Sequence, residues 1–216
     1  MSDKRLRELE RHWRETGAVE DEAAYLLERA RSGTLTSLDL ERAASAGYPA
    51  ATRACPQAAA VPPDERVAEL LREIASEVQD DRILRLWAAD CAERRLRDFE
   101  ARNPGDDCVR EAIRVAREFA LGRGSTRDLT RAGDRTHVIT RREALAARTV
   151  PEAGLAATAA VAAHWATHHD ARFAANGIVG ETVEPWAEFD GAERRFQLER
   201  LIARWLHGPT DLPRTQ

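Results

Sequence analysis

The chain has 216 residues, 43% of them apolar and 32% charged, with a formal net charge of −4. That length supports one sizeable core, or a main domain with a small attachment, while a mean hydropathy of −0.53 and a pI near 5.9 argue against a membrane-embedded chain and against any overall attraction to nucleic-acid phosphates or anionic lipid. Positive charge rests almost wholly on arginine, Lys4 being the only lysine, a uniform bias that reads as genome composition and not as a nucleic-acid footprint.

The N-terminus, MSDKRLRELERHW, carries charges throughout and lacks the apolar core of a signal peptide, so the expected location is the cytoplasm. Asp3 to Arg14 reads as a first helix, with Leu6, Leu9 and Trp13 at helical spacing and Thr16-Gly17 as its stop. In the second, Glu20, Asp21 and Glu22 suit the positive end of the helix dipole and Arg29 and Arg31 the negative end, with Gly33 as a C-terminal cap. Thr36, three residues before Asp39, starts a short helix that runs to Gly47, and Pro49 opens another as far as Cys55. The uncharged, proline-bracketed stretch from Pro56 to Pro63 is the most linker-like in the chain. The expected organisation is a small helical segment over 1–60, a main helical domain over 64–207 and a flexible tail over 208–216.

Asp64 to Gln79 has Val67, Leu70, Leu71, Ile74 and Val78 on one side, and Leu84 to Arg102 is expected as one continuous helix with Trp87, Cys91 and Phe99 in its stripe. Asn103-Pro104-Gly105 turns the chain, and Asp106 or Asp107 caps the next helix, whose stripe is Val109, Ala112, Ile113 and Ala116. Gly122 to Gly133, with Leu129 its single apolar side chain in periodic position, reads as loop with at most one turn, followed by a modest helix from Val138 to Arg148. Ala153 to Asn176 is the longest stretch nearly free of formal charge and is expected to be the central helix, entered through Pro151 at a first-turn position. Its small residues permit close helix approach. Thr182 to Phe189 adds a short helix broken by Pro185, and Glu193 to His207 a last one with Leu198, Leu201, Ile202 and Trp205 on one face. No segment alternates like a strand, so the fold class is all-α: a multi-helix bundle packed around a central Ala-rich helix, with a small N-terminal helical subdomain.

Few constellations carry chemistry. His164 and His168 stand four apart, on one face of the expected central helix, a spacing that can chelate a divalent metal. A zinc protease motif would place Glu after the first His, where Trp165 stands, so the reading is two hydrogen-bonded helix histidines, no metal and no cofactor. Asp106, Asp107 and Arg110 can hold a partner's basic group, against the simpler account that the acids serve the helix start. Asp90 interrupts an apolar stripe, and a carboxylate so placed needs an arginine or amide partner. Cys55, Cys91 and Cys108 include no CxxC pair and leave one over, which argues against a disulfide framework; Cys108 follows two acids, which raise a thiol pKa instead of activating it. Arg131, Arg135, Arg141 and Arg142 form a local basic region that reads as solvated surface. No catalytic residues emerge.

Leu86 to Gly122, LWAADCAERRLRDFEARNPGDDCVREAIRVAREFALG, resembles immunity proteins of bacterial polymorphic-toxin systems. The family's pattern is a W-A-x-D-C-A-E-R helix ending in F-E, then a P-x-D-D turn, an R-x-A-I-x-x-A-R helix and Gly. Here it falls on Trp87, Asp90, Cys91, Glu93, Phe99, Glu100, Asp106, Asp107, Arg110, Ala112, Ile113 and Gly122. Where the family has Arg-Pro after the paired acids this chain has Cys108-Val109, losing a positive charge beside them. The first sixty residues lie outside the pattern and resemble a small helical segment at the front of assorted bacterial proteins. The resemblance implies a non-catalytic protein that binds a cognate toxin, with Asp90, Asp106, Asp107, Arg110, His164 and His168 as candidate binding residues, and neither nucleic acid nor membrane as partner. A helical adaptor, or a metal enzyme using His164 and His168, would be the competing classes; oligomeric state is left open.

Overall fold

The computed structural model describes residues 2–148, 152–171, 175, 191–209 and 212. Among them are eleven α-helices, one 3-10 turn and no strand, so the all-α class expected from the sequence is the one observed. No helix among the described residues is long and apolar enough to cross a membrane.

Four helices open the chain: α1 Ser2–Thr16, α2 Val19–Arg31, α3 Ser37–Ser45 and α4 Pro49–Ala54. Thr36 caps α3 by accepting the Asp39 amide hydrogen at 3.0 Å, and Pro49 sits in the first turn of α4, where its missing N–H costs nothing. A 3-10 turn, Pro56–Ala58, leads to α5 Asp64–Glu77.

The expected single helix from Leu84 to Arg102 is instead two, α6 Asp81–Arg94 and α7 Leu96–Arg102. Arg95 breaks it with φ −104° and ψ 7°, and at the break both Arg94 and Arg95 reach the buried Glu193 carboxylate, at 3.0 and 2.8 Å. Next come α8 Cys108–Ala120 and α9 Thr126–Ala147. Most of the stretch expected to be loop is therefore the first half of a 22-residue helix. Its start is a reciprocal cap: Ser125 Oγ accepts the Asp128 N–H at 3.1 Å and donates to the Asp128 carboxylate at 2.6 Å.

The alanine helix α10 spans Glu152–Thr167 and touches α6, α7, α8 and α9. Ala156, Ala159, Ala160, Ala163 and Ala166 are fully buried, the close approach that small side chains allow. The expectation that this helix continues to Asn176 fails at Thr167. There, Arg85 from α6 donates from Nη1 to the carbonyls of Ala166 (2.7 Å) and His168 (2.8 Å), satisfying terminal acceptors that another helical turn would otherwise have to pair. The last helix, α11 Gly191–His207, lies against α5 and α6 and reaches α3. Trp87 of α6 is wholly buried and donates its indole hydrogen to the Gln197 carbonyl of α11 at 2.9 Å. The short helix expected over Thr182 to Phe189, Pro151 and most of the 208–216 tail fall outside the described residues.

Candidate functional site

Asp90 sits on the face of α6 that meets α8 and α11 and is 3% exposed. Its Oδ1 accepts from Arg117 Nη2 at 2.8 Å and Arg204 Nη2 at 2.9 Å, and its Oδ2 from Arg200 Nε at 2.8 Å and Arg204 Nε at 2.7 Å. Burial pushes this carboxyl up; the hydrogen bond and charge of Arg204, with the charges of Arg200 and Arg117, outweigh it and hold the group below the usual carboxylate range. The arginine partner required of a carboxylate in an apolar stripe is thus present threefold.

Two further buried carboxylates repeat the device. Glu193 is gripped by Arg94 and Arg95, and Glu143 takes Arg102 Nε at 2.9 Å and Arg142 Nε at 2.9 Å. Each joins helices distant in sequence. Reading the sequence missed both, because nothing local distinguishes them from surface glutamates; only Asp90 stood inside an otherwise apolar run.

Asp106, Asp107 and Arg110 do not form one cluster. Asp106 accepts the Cys108 amide hydrogen at 3.1 Å, as expected of a helix-start acid. Asp107, whose side chain is 74% exposed, pairs with Arg135 of α9 at 2.9 Å. Arg110 turns back to Glu100 of α7. The Cys108 thiol is pushed up to about 12, first by burial and then by Asp106, and burial drives that of Cys91 well up; all three cysteines are free and buried. Neither Cys91 nor Cys108 is poised as a thiolate nucleophile.

His164 and His168 do not share a helix face, because α10 ends between them. His164, half-buried in its last turn, lies 3.3 Å from the Gly133 carbonyl through Nδ1; a carbonyl only accepts, so this nitrogen donates. Burial lowers its pKa, outweighing that hydrogen bond. His168 takes the Asp170 amide hydrogen on Nδ1 at 3.1 Å and lies beside His169, with ring centres 4.3 Å apart and ring planes tilted by 31°. No three His, Cys, Asp or Glu side chains converge on a metal position among the described residues.

Two concavities stand out among the described residues. One, of about 380 Å³, opens where α1, α2 and α4 meet α11, lined by Trp13, Glu22, Tyr48, Phe196, Glu199 and Arg200 among others. Another, of about 310 Å³, lies between α8 and α9 and is walled largely by charge, including Asp107, Glu111, Arg114 and Arg131. The chain thus presents a scaffold fastened by internal ion pairs. The sequence model of a family described as Imm-5 like putative immunity protein matches residues 75–204, from the end of α5 through most of α11. No curated protein and no solved structure matches the chain.

Proposed function

The chain belongs to the Imm-5 like immunity protein family, and from that membership we propose that it neutralises a cognate bacterial toxin by stoichiometric binding, in the cytoplasm and without a reaction of its own. The observation that carries the reading is the family match over 75–204, a span that contains all six candidate binding residues and the whole Asp90 node. The physical character of that span agrees with it. Its buried carboxylates Asp90, Glu143 and Glu193 are each paired with arginine, the thiols of Cys91 and Cys108 are held protonated, and a rigid surface loses little freedom on docking, so more of the contact energy remains as affinity. Asp107 and Arg110 stand exposed enough to meet a partner, whereas Asp90 acts from inside by fixing α6, α8 and α11.

The test is co-expression with the product of the adjacent gene. Growth arrest by that product alone, relieved by this chain and accompanied by a one-to-one complex, is the expected result. If the adjacent product is harmless, or its toxicity is unrelieved, the proposal fails.

A further inference from the structure

Arginines on this molecule are mostly paired. Arg42 grips Glu77, Arg114 reaches both Glu111 and Glu118, Arg135 meets Asp107 and Arg142 meets Glu143. The outward side of α9 departs from that pattern. Arg127, Arg131, Arg141 and the C-cap Arg148 are all exposed, and none has an ion pair or side-chain hydrogen bond among the described residues. Between them stand Val138 and Leu145, 65% and 66% exposed, the most exposed large apolar side chains on any described helix.

These six positions, with exposed Asp134, follow one another at alternating steps of four and three. That spacing keeps them within an arc of roughly 100° along about 32 Å of helix. The two apolar residues are two turns apart on the centre line, with guanidinium groups before, between and after them. The basic region noticed in the sequence therefore divides: Arg135 and Arg142 are spent on the α7–α8 turn and Glu143, whereas Arg131, exposed at the rim of the α8–α9 concavity, and Arg141 have no ion pair among the described residues.

We propose that this face of α9 is a docking surface for an acidic, partly apolar face of a protein, and that the protein is the cognate toxin; the inference rests on the toxin-binding reading above. Unpaired guanidinium groups around exposed apolar side chains match the usual division of an interface into a water-excluding centre and a polar surround, with arginine favoured at the energetic anchors. Nucleic acid fits less well. A phosphate track would gain nothing from Val138 and Leu145 and would be repelled by Asp134, the stripe has no aromatic ring on which a base could stack, and the chain's net charge is −4.

The test uses the adjacent gene's product as probe, both in growth rescue and in titration with purified full-length chain. Arg127→Glu/Arg131→Glu/Arg141→Glu should weaken binding about 100-fold and abolish rescue, and Val138→Ser/Leu145→Ser should do so in part. Arg53→Glu/Arg72→Glu, an analogous change at unpaired arginines elsewhere, should leave both intact, and melting curves should show all three variants folded. Rescue by the wild type and equally by the triple variant overturns the docking surface while leaving the toxin-binding reading standing. Failure of the wild type to rescue removes both. A wild-type chain that binds a 20-base-pair duplex at physiological salt through these arginines, or a dimer that dissociates on their reversal, assigns the stripe to another occupant and overturns the inference.

Discussion

Asp90 joins three helices through one carboxylate, and at the scale of single residues it concentrates more consequence than any other position. Arg204 beside it is 4% exposed and Arg117 and Arg200 are partly buried, so removing the negative charge leaves guanidinium groups unable to recover their hydration. Asp90→Asn should cost about 3–5 kcal/mol in urea denaturation, the usual consequence of breaking a buried ion pair from one side; a loss below about 1 kcal/mol would show the node to be dispensable. Because the folded carboxyl titrates below its unfolded counterpart, the stabilisation is fully present above about pH 4 and fades as pH falls through the lowered value. The variant should therefore lose part of the acid sensitivity in that window. Histidine acts in a separate window. His207 is pushed down by burial against the opposing pull of Glu22, and His164 is lowered by burial as well, so the unfolded chain takes up these protons first. Stability should fall as pH drops from about 7 to 5, and His207→Gln should flatten that slope.

At the scale of helices, periodicity was informative where a helix buries one stripe and silent where it does not. The stripes of α5, α8 and α11 could be read directly from Val67, Leu71 and Ile74, from Val109, Ala112, Ile113 and Ala116, and from Leu198, Leu201 and Ile202, all of them buried, with Leu70 partly so. The N-terminal half of α9 has glycine and few apolar side chains, so its pattern resembled loop; the usable signal was the Ser125 to Asp128 cap. The end of α10 was unreadable for a different reason, since the Arg85 that stops it lies more than eighty residues earlier. The candidate site was legible in the same uneven way. Asp90 announced its need of a partner, yet its three arginines come from two other helices, and no spacing rule links them. If α9 depends on its cap, Ser125→Ala should lower stability by about 1 kcal/mol. Gly124→Ala should cost more, about 1–3 kcal/mol, because a Cβ there would lie 2.8 Å from the Phe119 nitrogen and 2.9 Å from its Cα, backbone atoms that cannot swing aside. Parallel urea melts that reversed this order would contradict the packing account.

For the molecule as a whole, the question is how the first four helices are held to the family-matching region, and the answer lies at the last turn of α11. The His207 ring stacks on Trp13, 4.2 Å between centres, and on Tyr25 at 5.9 Å. Its Nε2 lies 2.7 Å from Glu22 Oε1, the oxygen to which Tyr48 donates its phenol hydrogen. Arg29 adds a hydrogen bond to the Leu206 carbonyl. Two N-terminal helices, α1 and α2, and the segment before α4 therefore converge on the last turn of α11. The spine formed by α6, α8 and α10 makes none of these contacts. His207→Ala should for that reason act unevenly: amide exchange across α1 to α3 should accelerate about 10- to 100-fold, the equivalent of one lost stack and one charge-assisted hydrogen bond, while exchange in α6 and α10 stays as in the wild type. A uniform acceleration throughout would mean that the chain opens as one unit and that His207 is no separate fastening. Unchanged exchange in α1 to α3 would mean that their apolar contacts, Leu26 and Leu40 among them, suffice without it.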